Sequence, residues 1–169
     1  VPLIFIAGGA RSGKSRTALG MAAVRGKQPL LIVTSAEPDE EIREAVSSGE
    51  SGTGHHMDTV TEPVDLASLL HASSQRYDVL LIDSLTVWLG NLMQQDAEAF
   101  PARVEELLAT LGAMSATVIA VATEVGCGIE PETELARRFR DEAGRLSQRC
   151  AAIADETYWM VFGCPLRVK

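Results

Sequence analysis

Basic residues are in short supply: 15 Lys and Arg stand against 23 Asp and Glu, a net charge of -8. Such a field repels nucleic acid and anionic membranes unless a basic site is tightly localised, which excludes a general nucleic-acid binder. No apolar run reaches the roughly 20 residues of a membrane-spanning helix, and the apolar start at residues 1–7 has neither a basic flank nor a cleavage-site pattern. Membrane insertion and an export signal are therefore not expected. Cysteine is scarce too. Cys127, Cys150 and Cys164 are odd in number and far apart, which excludes a disulfide framework or a CxxC metal knuckle and fits a reducing cytoplasm. The first residue is Val1 and not methionine, so the sequence is expected to begin a few residues inside the natural chain. Repeats and low-complexity linkers are missing as well. The 169 residues, 46% apolar and 22% charged, read as one soluble domain spanning 1–169.

What is present is a succession of short apolar runs separated by helical patterns. Residues 3–7, 30–33, 79–82, 117–122 and 157–162 read as strands, and 59–61 as a short segment. Residues 15–24, 39–46, 64–73, 85–93 and 101–112 read as helices, and 47–54 (SSGESGTG) as a polar loop. Leu135, Phe139, Ala143, Leu146, Cys150 and Ile153 recur at steps of four and three, placing them on one face of a long helix. Apolar strands without period-two alternation are buried on both faces, so the reading is a three-layer α/β fold with a mostly parallel sheet. Ligands of such sheets collect beyond the carboxyl ends of the strands.

Two features fall at those ends. Gly8, Gly9, Ala10, Arg11, Ser12, Gly13, Lys14 and Ser15 spell GGARSGKS, the phosphate-loop pattern G-x-x-x-x-G-K-S, with a strand before it and a helix after it. Glycines let backbone N–H groups converge on phosphate oxygens, Lys14 brings charge to the β and γ phosphates, and Ser15 offers a hydroxyl to Mg²⁺. Asp83 ends the run at 79–82, where an acid serves the metal side of such a site. Arg137, Arg138, Arg140, Arg145 and Arg149 crowd one helix, either as a phosphate-facing surface or as a solvated face paired with Asp141 and Glu142. His71 reads as an exposed helix residue, and His55 and His56 lie beside the polar loop.

The chain as a whole resembles the adenosylcobinamide kinase / adenosylcobinamide-phosphate guanylyltransferase family of cobalamin biosynthesis. The resemblance is carried by GGARSGKSR (8–16), by Thr34 and Ser35, by TVTEP (59–63) with Glu62, by IDSLTVWLGNL (82–92), and most specifically by EVGCGIEPE (124–132) with LARRFRDEAGRLSQR (135–149). It implies a P-loop NTPase-type fold and a homotrimer. It also implies Mg²⁺, GTP or ATP as substrate, and a cobinamide-type corrinoid as acceptor. Two reactions follow from it: phosphorylation of the aminopropanol hydroxyl, then transfer of GMP to that phosphate. Thr34, Ser35 and Glu62 enter as nucleotide-binding residues by this resemblance.

One expectation of the family is not met. The resemblance implies a histidine nucleophile for guanylyl transfer, after the second strand. Counted without gaps between Thr34-Ser35 and Thr59-Val60, its position falls on Ser48 or Gly49. Serine needs an adjacent base to attack phosphorus, whereas neutral imidazole attacks directly. His55 and His56 are substitutes only if the loop folds back. Thr123 also stands where the family usually has Asn. Three readings result: a cobinamide kinase with guanylyl transfer in question, a kinase-only member, and a GTP-binding paralogue without catalysis.

Overall fold

Leu3, Phe5, Leu30, Ile32, Leu80 and Ile82 pack on one side of a central sheet, and their chain neighbours Ile4, Ile6, Leu31, Val33, Val79 and Leu81 pack on the other. Two cores sharing one sheet explain why these strands read as unbroken apolar runs. The structure, a computed structural model, describes residues 2–38, 40, 42–44 and 57–169. Ser48, Gly49, His55 and His56, together with the polar loop expected at 47–54, lie outside the described residues.

The elements in chain order are β1 (Leu3–Gly8), α1 (Lys14–Arg25), β2 (Pro29–Val33), β3 (Asp58–Thr61), α2 (Leu66–Ser73), β4 (Val79–Asp83), α3 (Leu85–Gln95), α4 (Phe100–Ala113), β5 (Thr117–Thr123), α5 (Glu134–Ile153), β6 (Glu156–Val161) and β7 (Cys164–Arg167). Of the helix expected over 39–46, residues 40 and 42–44 are described and helical, with Ile42 buried beside α1. The sheet runs β3-β2-β4-β5-β1-β6-β7. Every neighbouring pair is parallel except β6 and β7. The three-layer, mostly parallel α/β reading therefore holds. The segment at 59–61 is a full member of the sheet, and β7 was not anticipated.

Beneath the sheet, α1 buries Ala18, Leu19 and Ala22. The opposite layer holds α2 to α5, with Trp88 and Leu89 of α3 at its centre. The Trp88 indole N–H donates to the Val64 carbonyl at 2.8 Å, so its one polar atom is satisfied. The apolar face of α5 is buried only in its middle, at Ala143, Leu146 and Cys150, while Leu135 and Ile153 at its ends are exposed. The helix is longer than the layer it covers. Burial pushes the Cys150 thiol up to about 12, which keeps it a neutral packing group. Among the described residues no helix is long and apolar enough to cross a membrane.

Candidate nucleotide and metal site

The carboxyl ends of β1, β2, β4 and β5 open on a cleft of about 210 Å³ lined by residues including Lys14, Ser15, Ser35, Glu37, Asp83, Ser84 and Thr123. β1 ends at Gly8, α1 begins at Lys14, and the turn between them needs unusual backbone. Arg11 has φ 57° and Gly13 φ 92°. A Cβ on Gly8 would stand 2.7 Å from Ser12 Oγ and 2.8 Å from Met160 Cβ, so the close approach of the loop to β6 demands glycine there. Gly9 and Ala10 continue the loop, and the Gly9 carbonyl accepts from Lys14 Nζ at 2.6 Å. Ser12 Oγ is buried, with no hydrogen-bond partner among the described residues.

Ser15 and Asp83, expected to share a metal, are in direct contact: Ser15 Oγ donates to Asp83 Oδ2 at 2.6 Å. A hydroxyl and a carboxylate converging at the start of a helix are the hard oxygen donors that suit Mg²⁺. Among the described residues no group of three or more His, Cys, Asp or Glu side chains is positioned to hold a metal.

The residues assigned by resemblance occupy less direct positions. Thr34 is fully buried. Its hydroxyl donates to the Ser84 carbonyl and accepts the Ser84 N–H, both at 2.8 Å, so its side chain locks β2 to the end of β4. Ser35 lines the cleft and closes a tight turn with Glu37. Glu62 Oε1 accepts the N–H groups of Val64 and Asp65, at 2.9 and 2.8 Å, where the chain enters α2. Glu37, Ser84 and Asn91 are additions that motif reading did not single out. Asn91 Nδ2 donates to the carbonyls of Thr34 and Pro63 at 2.9 and 3.0 Å, clamping the ends of β2 and β3 together. The signal was there, since Asn91 lies within IDSLTVWLGNL.

Three of the five arginines of α5 pair with acidic side chains, as the solvated-face reading expects. Arg140 pairs with Glu130 and Asp141, Arg145 with Glu142, and Arg149 forms a two-pronged bridge to Glu105 on α4. Hydrogen bonding to Arg149 holds the Glu105 carboxyl below its ordinary value. Arg137 instead donates to the carbonyls of Pro131 and Glu132, both at 2.9 Å, and so fastens the loop before α5. His71 is exposed on α2.

Residues 4–168 match the model of the family described as cobinamide kinase / cobinamide phosphate guanyltransferase. The chain belongs to this family. It is 37% identical over 166 residues to the bifunctional adenosylcobalamin biosynthesis protein CobP of Pseudomonas aeruginosa, a match covering 98% of this chain and 96% of that protein. It is 35% identical over 181 residues to the bifunctional adenosylcobalamin biosynthesis protein CobU of Escherichia coli K12, covering 99% of each.

Among solved structures, a type III secretion ATPase of pathogenic bacteria superposes on 95% of the chain with a TM-score of 0.55 at 16% identity. EscN of enteropathogenic E. coli gives 0.56 at 14% identity. The chain spans 51% and 43% of those proteins. At that identity the likeness speaks for the P-loop NTPase fold alone. The block from Glu124 to Arg149 lies on the loop before α5 and on α5 itself, packed beside α3 and α4.

Proposed function

We propose that this chain transfers the γ-phosphoryl group of GTP or ATP to the aminopropanol hydroxyl of a cobinamide-type corrinoid, and that guanylyl transfer is severely impaired. The single observation that carries the first part is the contact of Ser15 with Asp83 beside the buried Lys14, at the mouth of a phosphate loop.

Backbone N–H groups of the loop cradle the β phosphate, and Lys14 sets its charge against the charge that builds on the transferring group. Ser15 and Asp83 are the residues that would hold Mg²⁺, which when bound would supply positive charge to offset that of the phosphates. Asp83 fixes the Ser15 hydroxyl by accepting its proton in a hydrogen bond. The acceptor hydroxyl and the γ phosphate are brought within attacking distance in one site, which removes most of the entropic barrier to their meeting.

The second part rests on Ser48 and Gly49 standing where a histidine is expected. Incubation with γ-labelled and α-labelled GTP in parallel, with cobinamide, tests both parts. Label from the γ position is expected on the corrinoid, and no acid-labile GMP adduct is expected on the protein. An adduct mapped to His55 or His56 overturns the second part, and no phosphorylated corrinoid with either GTP or ATP overturns the first.

A further inference from the structure

β6 and β7 form a hairpin whose turn, Phe162 and Gly163, rests on the phosphate loop. The Gly163 N–H donates to the Ser12 carbonyl at 2.9 Å. A Cβ on Gly13 would stand 3.1 Å from the Gly163 Cα, and Met160 fills the space under Gly8. The turn is thus fixed to the loop at several points. Beside this contact Phe162 is held at φ 51° with 96% of its surface exposed. A bulky side chain in left-handed backbone is uncommon. The two-residue hairpin turn itself calls for positive φ at both Phe162 and Gly163, but Asn, Asp or Gly is the usual choice there, and an exposed ring adds nothing to the core, so the aromatic side chain of Phe162 is unexplained by turn or packing.

Strand order decides which part of a nucleotide reaches this turn. Asp83 ends β4, which is separated from β1 by β5, whereas β6 borders β1 directly on its other side. The terminal phosphates belong at the Asp83 side, where the metal donors lie. A triphosphate lying along the loop then leads away from Asp83, and its nucleoside emerges over the β6–β7 turn.

From this placement we infer that Phe162 is the platform on which the nucleobase stacks. The assignment rests on the nucleotide-site reading above and adds the contact that the loop cannot supply, since backbone N–H groups read phosphate and not base. An aromatic face takes any purine by its π surface, so Phe162 supplies affinity for the nucleoside without choosing between guanine and adenine.

The full chain, with Mg²⁺, is titrated calorimetrically with GTP and with inorganic tripolyphosphate. Phe162→Asn removes the ring while keeping a residue that tolerates left-handed backbone, and Phe162→Trp keeps an aromatic face. Phe162→Asn is expected to weaken GTP roughly 5- to 150-fold, the range that loss of one stacked base gives. Tripolyphosphate binding stays unchanged in that variant, and Phe162→Trp retains GTP. Equal GTP affinity in wild type and Phe162→Asn overturns the assignment. So does a parallel loss of GTP and tripolyphosphate, which means that the turn only shapes the loop, and so does a loss of GTP in Phe162→Trp equal to that in Phe162→Asn. Wild-type protein that binds neither probe overturns the nucleotide-site reading itself, and the assignment with it. Wild-type protein that binds both upholds that reading whichever way Phe162 falls.

Discussion

Ser15 Oγ and Asp83 Oδ2 meet at 2.6 Å although 68 positions separate them in the chain. The contact joins the last residue of the phosphate-loop motif to the last residue of β4. β1 and β4, parallel and separated by β5 alone, carry the two residues to the same edge of the sheet. Asp83→Asn keeps the shape of this pair and removes its charge. Turnover in the variant is expected to fall on the order of 10²-fold or more, with a raised Mg²⁺ requirement, while nucleotide binding falls much less. Titrating Mg²⁺ against both rate and binding separates the two, and an unchanged metal requirement assigns Asp83 to structure.

Lys14 is buried at the head of α1 with its ammonium on the Gly9 carbonyl. Its side chain reaches back to the loop that precedes the helix. Lys14→Ala is therefore expected to leave the fold intact by circular dichroism while phosphoryl transfer drops on the order of 10²- to 10³-fold. A folded variant with wild-type kinase rate removes Lys14 from the chemistry.

The phosphate loop was legible because its residues act through backbone geometry that only a few spacings allow. β1, β2, β4 and β5 were legible because burial on both faces writes itself as apolar runs. β7 was not. Its residues Cys164–Arg167 are all exposed and include a proline, so neither alternation nor an apolar run marks them. With β7 went the hairpin turn and its grip on Ser12, a contact between chain segments that motif spacing does not encode. The sharing of Thr34 between Ser84 N–H and carbonyl was equally invisible, because a buried threonine hydroxyl and a ligand-facing one look alike in sequence. The apolar stripe of α5 overstated burial at Leu135 and Ile153, since periodicity gives the face of a helix and not the extent of what covers it.

Two glycine substitutions are expected to act in opposite directions. Gly13 has φ 92°, and a Cβ there would stand 3.1 Å from the Gly163 backbone. Gly13→Ala should destabilise the protein by about 1–3 kcal/mol through backbone strain, displace the β6–β7 turn and weaken GTP. Gly144 lies in the middle of α5, and nothing stands within 4 Å of a Cβ placed on it. Gly144→Ala should stabilise by up to about 1 kcal/mol, since alanine restricts the unfolded chain and favours helix. Urea denaturation of both variants checks the signs. A Gly13→Ala protein as stable as wild type contradicts the tight packing of turn on loop.

Glu156 ties the start of β6 to the end of α1: Arg25 donates to its two oxygens at 3.0 and 2.9 Å, and the Tyr158 hydroxyl donates to Oε2 at 2.7 Å. These hydrogen bonds, Arg25 first, hold the Glu156 carboxyl below its ordinary value of 4.5. A carboxyl lowered in the folded state binds its proton more weakly there than in the unfolded chain. Its contribution to stability is therefore fully present above the ordinary value and is lost as pH falls through the lower, folded-state value. Glu156→Gln removes the titration and keeps the shape. Wild type should exceed the variant in unfolding free energy near neutral pH, and the gap should narrow steadily on acidification below pH about 4.5. Denaturant melts of the two proteins across that range measure it. A gap that stays constant or widens toward acid places the stabilising proton linkage elsewhere and leaves the Arg25–Glu156 bridge as a surface pair of little consequence.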